Sequence, residues 1–201
     1  MYEKPADSKY PIHDLIAGRW SPVAFSERAI EPKCLCSLFE AVRWAPSCYN
    51  DQPWNFVVGI RSEPDPFQEL LSCLVPQNAE WAQYAPVLAL AIARTKFSHN
   101  GKPNRHAWHD IGLAIGNLLV QATSMGLAVH PMAGFLPDKA REILALPVDH
   151  EPVTAIAIGY PGESTFLSEA LRVRNAAPRS RRPASSFVHS GRWGRRPEWL
   201  D

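Results

Sequence analysis

Ala45-Pro46-Ser47-Cys48-Tyr49-Asn50-Asp51-Gln52-Pro53-Trp54 is the stretch on which the reading of this chain turns. It joins a segment with helical patterning, Ile30 to Trp44, to a strand-like segment, Trp54 to Ile60. Connectors between buried elements are usually short and turn-like. This one sets Ser, Asn, Asp and Gln between two prolines, so a stiff backbone carries side chains rich in hydrogen-bonding groups. Pro46 disfavours helical geometry at Ala45, and Pro53 pushes Gln52 towards an extended conformation. Fixed donors and acceptors of this kind suit a flat polar heterocycle. An Asx-rich turn with no ligand fits the same composition.

Working outward, the chain has 201 residues, enough for one well-filled core and short for two. Hydrophobic content of 46% and charged content of 20% are those of an ordinary soluble protein. A net charge of +1 argues against a nucleic-acid partner. No apolar core follows a basic start, and runs such as Val87 to Ala93 are too short to span a bilayer, so the expectation is a cytoplasmic protein with no membrane partner. The four cysteines, Cys34, Cys36, Cys48 and Cys73, have no C-x-x-C spacing and no matching histidines, which gives no metal site and reduced thiols.

Helices are expected at His13–Ala17, from Pro32 with proline in the first turn, at Phe67–Leu74, at Asn78–Tyr84 and at Pro137–Ala145. The strongest is His106–Leu127, where Ile111, Ala114, Ile115, Leu118, Leu119, Ala122 and Met125 make a broad apolar stripe flanked by Gly112 and Gly116. Strands are expected at Trp54–Ile60, Val87–Ala93, Ala128–Met132 and Val153–Ile158. From Glu163 the composition changes: eight arginines face four acids, which reads as an extended arm over 163–201 with one short helix near Phe166–Arg174. No G-x-G-x-x-G follows the first strand, which weighs against a Rossmann domain. An α+β sandwich with helices around a mixed sheet fits better, as a single domain with its core over about residues 12–162.

The order Ala-Pro-Ser-x-x-Asn-x-Gln-Pro-Trp closely resembles a signature of the nitroreductase family of flavin-dependent reductases. Three further segments resemble the family in register: Arg19-Trp20-Ser21-Pro22-Val23-Ala24-Phe25; Asp110 to Leu127 running on to Pro131-Met132-Ala133-Gly134; and Arg179-Ser180-Arg181-Arg182-Pro183. The resemblance implies a homodimer with FMN at its interface and the C-terminal arm over the partner. It also implies an NADH or NADPH donor, and a nitroaromatic, quinone or similar planar small-molecule acceptor. Arg19, Ser21, Arg179 and Arg181 suit the phosphate, because guanidinium groups bind it with bidentate geometry. Trp20 and Val23 lie in the same motif.

Pro46, Ser47, Asn50 and Gln52 suit the pyrimidine edge, and Pro131, Met132, Ala133 and Gly134 suit the ring near N5, with Gly134 permitting close approach. His106 and Trp108 precede the long helix as substrate-pocket candidates. No side chain is assigned as a catalytic group, since flavin N5 carries the chemistry. Val23 stands where the family often has a basic residue, so a cation for the reduced ring must come from Arg43, Arg61, Arg94 or Lys96 or be absent. That departure keeps open an oxidase, dehalogenase or other flavin chemistry of the same superfamily. A non-catalytic flavin-binding or basic-armed interaction module is the remaining alternative.

Overall fold

A computed structural model describes residues 4–200. Four strands, β1 (Trp54–Ile60), β2 (Val87–Arg94), β3 (Ala128–Met132) and β4 (His150–Gly159), form one sheet in the order β1-β2-β4-β3. The helices are α1 (Asp14–Gly18), α2 (Pro32–Arg43), α3 (Pro64–Ser72), α4 (Pro76–Ala82), α5 (Ala107–Ser124), α6 (Pro137–Ile143) and α7 (Glu169–Ala176). Four of them (α2, α3, α4 and α6) open with a proline in the first turn, where its missing N–H costs nothing and its fixed φ is already helical.

The α+β class holds, but the sheet is antiparallel at every pairing rather than mixed. Alternating strands and helices suggest crossovers that carry the chain to the opposite end of the sheet. Here only α5 crosses, from the Arg94 end of β2 to the start of β3; the other two connections return to the end they left, Ile60 pairing with Val87 across α3 and α4, and the link through α6 turning Met132 back beside Ala155. A seven-residue α6 is about 10 Å long and caps the sheet instead of crossing it.

Two apolar layers enclose the sheet, and strand alternation assigns residues to each. Leu88, Leu90, Ile92, Ala155 and Ala157 face Phe25, Phe67, Trp81 and Leu171. Ala89, Ala91, Ala93, Ile156 and Ile158 face α2 and α5 through Leu38, Val42, Ile111, Ala114 and Leu118. Cross-strand neighbours compensate in volume: Leu88 lies opposite Ala157, Leu90 opposite Ala155 and Ala89 opposite Ile156. Filling space with alternate large and small side chains avoids voids without strain. Pro152 is tolerated in β4 because a bulge there breaks the ladder, between Ala91–Thr154 and Ile92–Pro152. The 18 residues of α5, about 27 Å, run the length of the sheet.

Candidate functional site

One group of site residues gathers where α5 ends and β3 begins. The Arg19 side chain donates to Ser21 Oγ at 3.1 Å, and the Ser21 hydroxyl points to the Val129 carbonyl at 3.4 Å. Arg179, from beyond α7, and Arg181 lie close enough to act on Arg19 electrostatically. Burial, then the charges of Arg179 and Arg181, pull the Arg19 guanidinium below its ordinary pKa. Burial and Arg181 do the same to Arg179. Among the described residues no carboxylate pairs with any of the three.

The arm is tied down here by its own chain. One Arg179 nitrogen donates to the carbonyls of Lys4 and Ala17, both at 2.6 Å, so part of that guanidinium serves the fold. Lys4 Nζ binds the Asn175 and Ala177 carbonyls at the end of α7 and sits over the Trp20 ring, which accounts for Trp20. The Asn175 side chain accepts the Val23 N–H at 3.0 Å.

A second group forms at the opposite end, around the loop before β1. Tyr49, Asn50 and Gln52 all have left-handed backbone, with φ of 54°, 54° and 50°. Side-chain-bearing residues seldom adopt it, at about 1–3 kcal/mol each, so the surroundings must impose it. Two buried carboxylates do so. Asp51, whose side chain is 1% exposed, accepts the Ser98 N–H and hydroxyl on Oδ1 and the Arg94 guanidinium on Oδ2. Burial pushes its carboxyl up, but these partners together bring it below the usual carboxylate range. Asp110, in the first turn of α5, accepts the Cys48 N–H at 2.9 Å and pairs with the His109 ring at 3.0 Å. Ser47 Oγ accepts the Gln52 N–H, closing the loop on itself. Pro46, Asn50 and Gln52 remain at the surface.

Neither Asp51 nor Asp110 figured among the expected site residues. The second was detectable: a carboxylate at position 110 sits on the buried α5 stripe of Ala107, Ile111 and Ala114, where it demands a polar partner. Asp51 had only a polar loop to mark it.

Other expectations divide. Pro131 is half-buried and Ala133 exposed on edge strand β3 and the turn beyond it, available to a ligand. Met132 and Val23 are core side chains and offer a ligand at most their backbone. Gly134 has a different reason to be glycine: a Cβ there would lie 2.6 Å from Asn78 Nδ2 and 2.9 Å from a Val75 methyl. Asn78 donates to its carbonyl, so this close approach is to α4 of the same chain. His106 and Trp108 are exposed at the start of α5, beside the loop.

The two groups occupy diagonal corners of the sheet. Val129 registers with Ile158 and Val87; Trp54 registers with Ala93 and Glu151. Six residues along β2 and three strand spacings separate them, about 20 Å and 14 Å. The arginines and the Ser47–Gln52 loop are therefore not brought together within one chain.

The family model for the nitroreductase family matches residues 16–87 and 68–160. A 15.4 kDa uncharacterised protein of Mycolicibacterium smegmatis is 32% identical over 146 residues, 70% of this chain and 97% of the other. The NADH dehydrogenase of Thermus thermophilus is 29% identical over 169 residues, 68% of this chain and 80% of that one. A crystal structure described as an oxidoreductase containing FMN superposes with a TM-score of 0.90, covering 98% of each chain at 31% identity. Carrying that match across its sheet, its long helix and the loop between them, this chain belongs to the nitroreductase family.

Proposed function

We propose that the chain is an FMN-dependent oxidoreductase that works as a homodimer. It takes electrons from NADH or NADPH and delivers them to a nitroaromatic, quinone or similar planar acceptor. The observation that carries this reading is the arginine corner. Three guanidinium groups gather there; burial, and then the neighbouring cations, hold Arg19 and Arg179 below their ordinary pKa, with no carboxylate among the described residues to neutralise them. Such a cluster is stable when a dianion such as a phosphate monoester joins it. The similar oxidoreductase containing FMN supports the identity of that anion.

The residues present fit the group. Arg19, Ser21, Arg179 and Arg181 would hold its phosphate. Ser47, Asn50 and Gln52, with Pro46, would meet the ring's polar edge, and the backbone of Pro131–Gly134 would lie along it. When bound, FMN supplies two-electron chemistry between nicotinamide and acceptor. The protein's own part is placement: Asp51 and Asp110 hold the loop donors fixed, and the arginines hold the anion.

Because the two groups lie at diagonal corners, one small molecule meets both only if a second copy supplies the loop. The outer face of α5 suits that copy: a Cβ added at Gly112 or Gly116 would meet nothing within 4 Å, and Leu113 and Val120 are exposed beside them. Trp193 (93% exposed) and Phe187 give the arm apolar surface to set over a partner. Among the described residues no helix is long and apolar enough to cross a membrane, and a cytoplasmic location accords with this reading.

The four cations considered as replacements for the family's frequent basic residue near the ring all have acidic neighbours among the described residues. Arg43 pairs with Glu40, Arg61 with Glu27 and Arg94 with Asp51, and Lys96 lies in the field of Asp149. The visible spectrum of the purified protein tests the proposal. A flavin spectrum bleached anaerobically by NADPH or NADH, and restored by a quinone, is the expected result. A protein that takes up no FMN contradicts it, and a flavin inert to both donors rejects the donor assignment.

A further inference from the structure

Tyr49 is the most conspicuous side chain that the fold leaves unexplained. It is 80% exposed, its backbone is left-handed, and its hydroxyl has no partner among the described residues. Folding gains little from an aromatic ring in water on a strained residue. Its surroundings are not random surface. The Tyr49 ring meets Phe97 edge-on at 5.7 Å and His99 at 5.8 Å, and Phe97 meets His99 at 5.3 Å.

Phe97 and His99 belong to the turn between β2 and α5, closed by Phe97 N–H to Lys102 and Gly101 N–H to Phe97. Asp51 fixes this turn to the Ser47–Gln52 loop: the carboxylate two residues after Tyr49 takes both the N–H and the hydroxyl of Ser98, which lies between Phe97 and His99. A single buried, charge-neutralised anchor therefore sets all three rings relative to one another and to the loop.

We infer that Tyr49, Phe97 and His99 form the platform on which the aromatic ring of the electron acceptor stacks, so that these residues set acceptor specificity. This rests on the reading of the Ser47–Gln52 loop as part of the FMN site. Edge-to-face packing of Phe97 and His99 against Tyr49 leaves ring surface open to an added planar group, in the offset or T-shaped geometries that aromatic pairs prefer. The Tyr49 hydroxyl can donate to a nitro or quinone oxygen. No free carboxylate lies in the cluster, since Asp51 is held by Arg94 and Ser98. An electron-poor, uncharged or anionic ring is therefore accommodated. Ferricyanide, a non-planar ion with no ring to stack, has no use for the platform.

The test compares 1,4-naphthoquinone with ferricyanide in the FMN-loaded protein and in the Tyr49→Ala, Phe97→Ala and Tyr49→Phe variants, with FMN content measured for each. The two alanine variants are expected to lower the ratio of kcat/KM for naphthoquinone to that for ferricyanide about three- to tenfold, mainly through KM. Tyr49→Phe should keep most of the ratio, having kept the ring. Titration of the oxidised protein with 2-naphthoate, followed by the flavin spectrum, should show the same weakening. An unchanged ratio and unchanged naphthoate affinity in a yellow Tyr49→Ala protein overturn the inference and leave the FMN reading intact. Equal loss with both acceptors also overturns it, since that marks general damage to the loop. Wild-type protein that takes no FMN removes both readings.

Discussion

The two corners of the sheet solve opposite problems. At the arginine corner, like charges are gathered with little to neutralise them, and the fold tolerates their mutual repulsion. At the loop corner, the two carboxylates find their partners inside the chain, and what is stored is backbone shape: three left-handed residues pinned by two buried carboxylates. On the proposed reading an anion would complete the first corner, whereas the second takes its shape from contacts within the chain. Substitutions at the two should therefore separate cleanly, with stability lost at the loop and ligand affinity lost at the arginines.

Asp51→Ala should give the largest effect. It strands the partly exposed Arg94 and two donors of the exposed Ser98, and losing the carboxylate of a pair covered on one side costs about 2–4 kcal/mol. A chain of this size should then melt about 5–15 °C lower, which a thermal scan of FMN-free protein would show. Melting within a degree of the parent would mean that Asp51 does not hold the loop. Arg19→Ala should do the reverse. FMN affinity should fall on the order of tenfold to a hundredfold, as for a lost charge-assisted bond, while the FMN-free protein melts within a few degrees of the parent. A variant that keeps full affinity would remove the phosphate assignment.

Gly134→Ala sharpens the contrast from the side. Its new methyl meets Asn78 and Val75, so about 1–2 kcal/mol of stability should go by urea denaturation, with FMN affinity of the folded fraction kept. Loss of affinity at unchanged stability would return Gly134 to the ring contact. The smallest effect concerns His130, whose ring packs 4.5 Å from Trp81 and bonds the Pro22 carbonyl. Burial lowers its pKa in the fold; the bond to the Pro22 carbonyl opposes this, and the charges of Arg174 and Arg19 add to the lowering. The unfolded chain then binds the extra proton first, so stability should decline as pH falls below about 6.5, where the free imidazole titrates. His130→Gln should flatten that decline. An identical slope in the variant would assign the pH dependence elsewhere.

The sequence made the arginine corner and the loop legible for different reasons. Proline at the helix starts and apolar alternation in β2 and β4 follow local rules, and the structure obeys them. The loop's polar residues were visible, but not their left-handed backbone, because Tyr49 and Gln52 have no propensity for it and are held there by partners distant in sequence, Ser98 and Asp110. Antiparallel pairing is not legible in the sequence, because strand–helix alternation does not reveal that α6 is too short to cross the sheet. At Gly134 the close approach of Val75 and Asn78 is a reason for glycine that no local pattern carries. Local pattern named the participants; long-range contacts decided what each one does.

The most direct test of the central claim, that each site joins one copy's arginines to the other copy's loop, is native mass spectrometry of mixed dimers. One chain carries Arg19→Ala, the other Asn50→Ala with Gln52→Ala, and each homodimer should hold FMN on the order of tenfold or more weakly than the parent at both its sites. In the mixed dimer both lesions fall on one site, leaving the other site whole, so the account predicts one FMN per mixed dimer, held as tightly as in the parent. A mixed dimer that holds none, or a monomer that retains FMN, would contradict it.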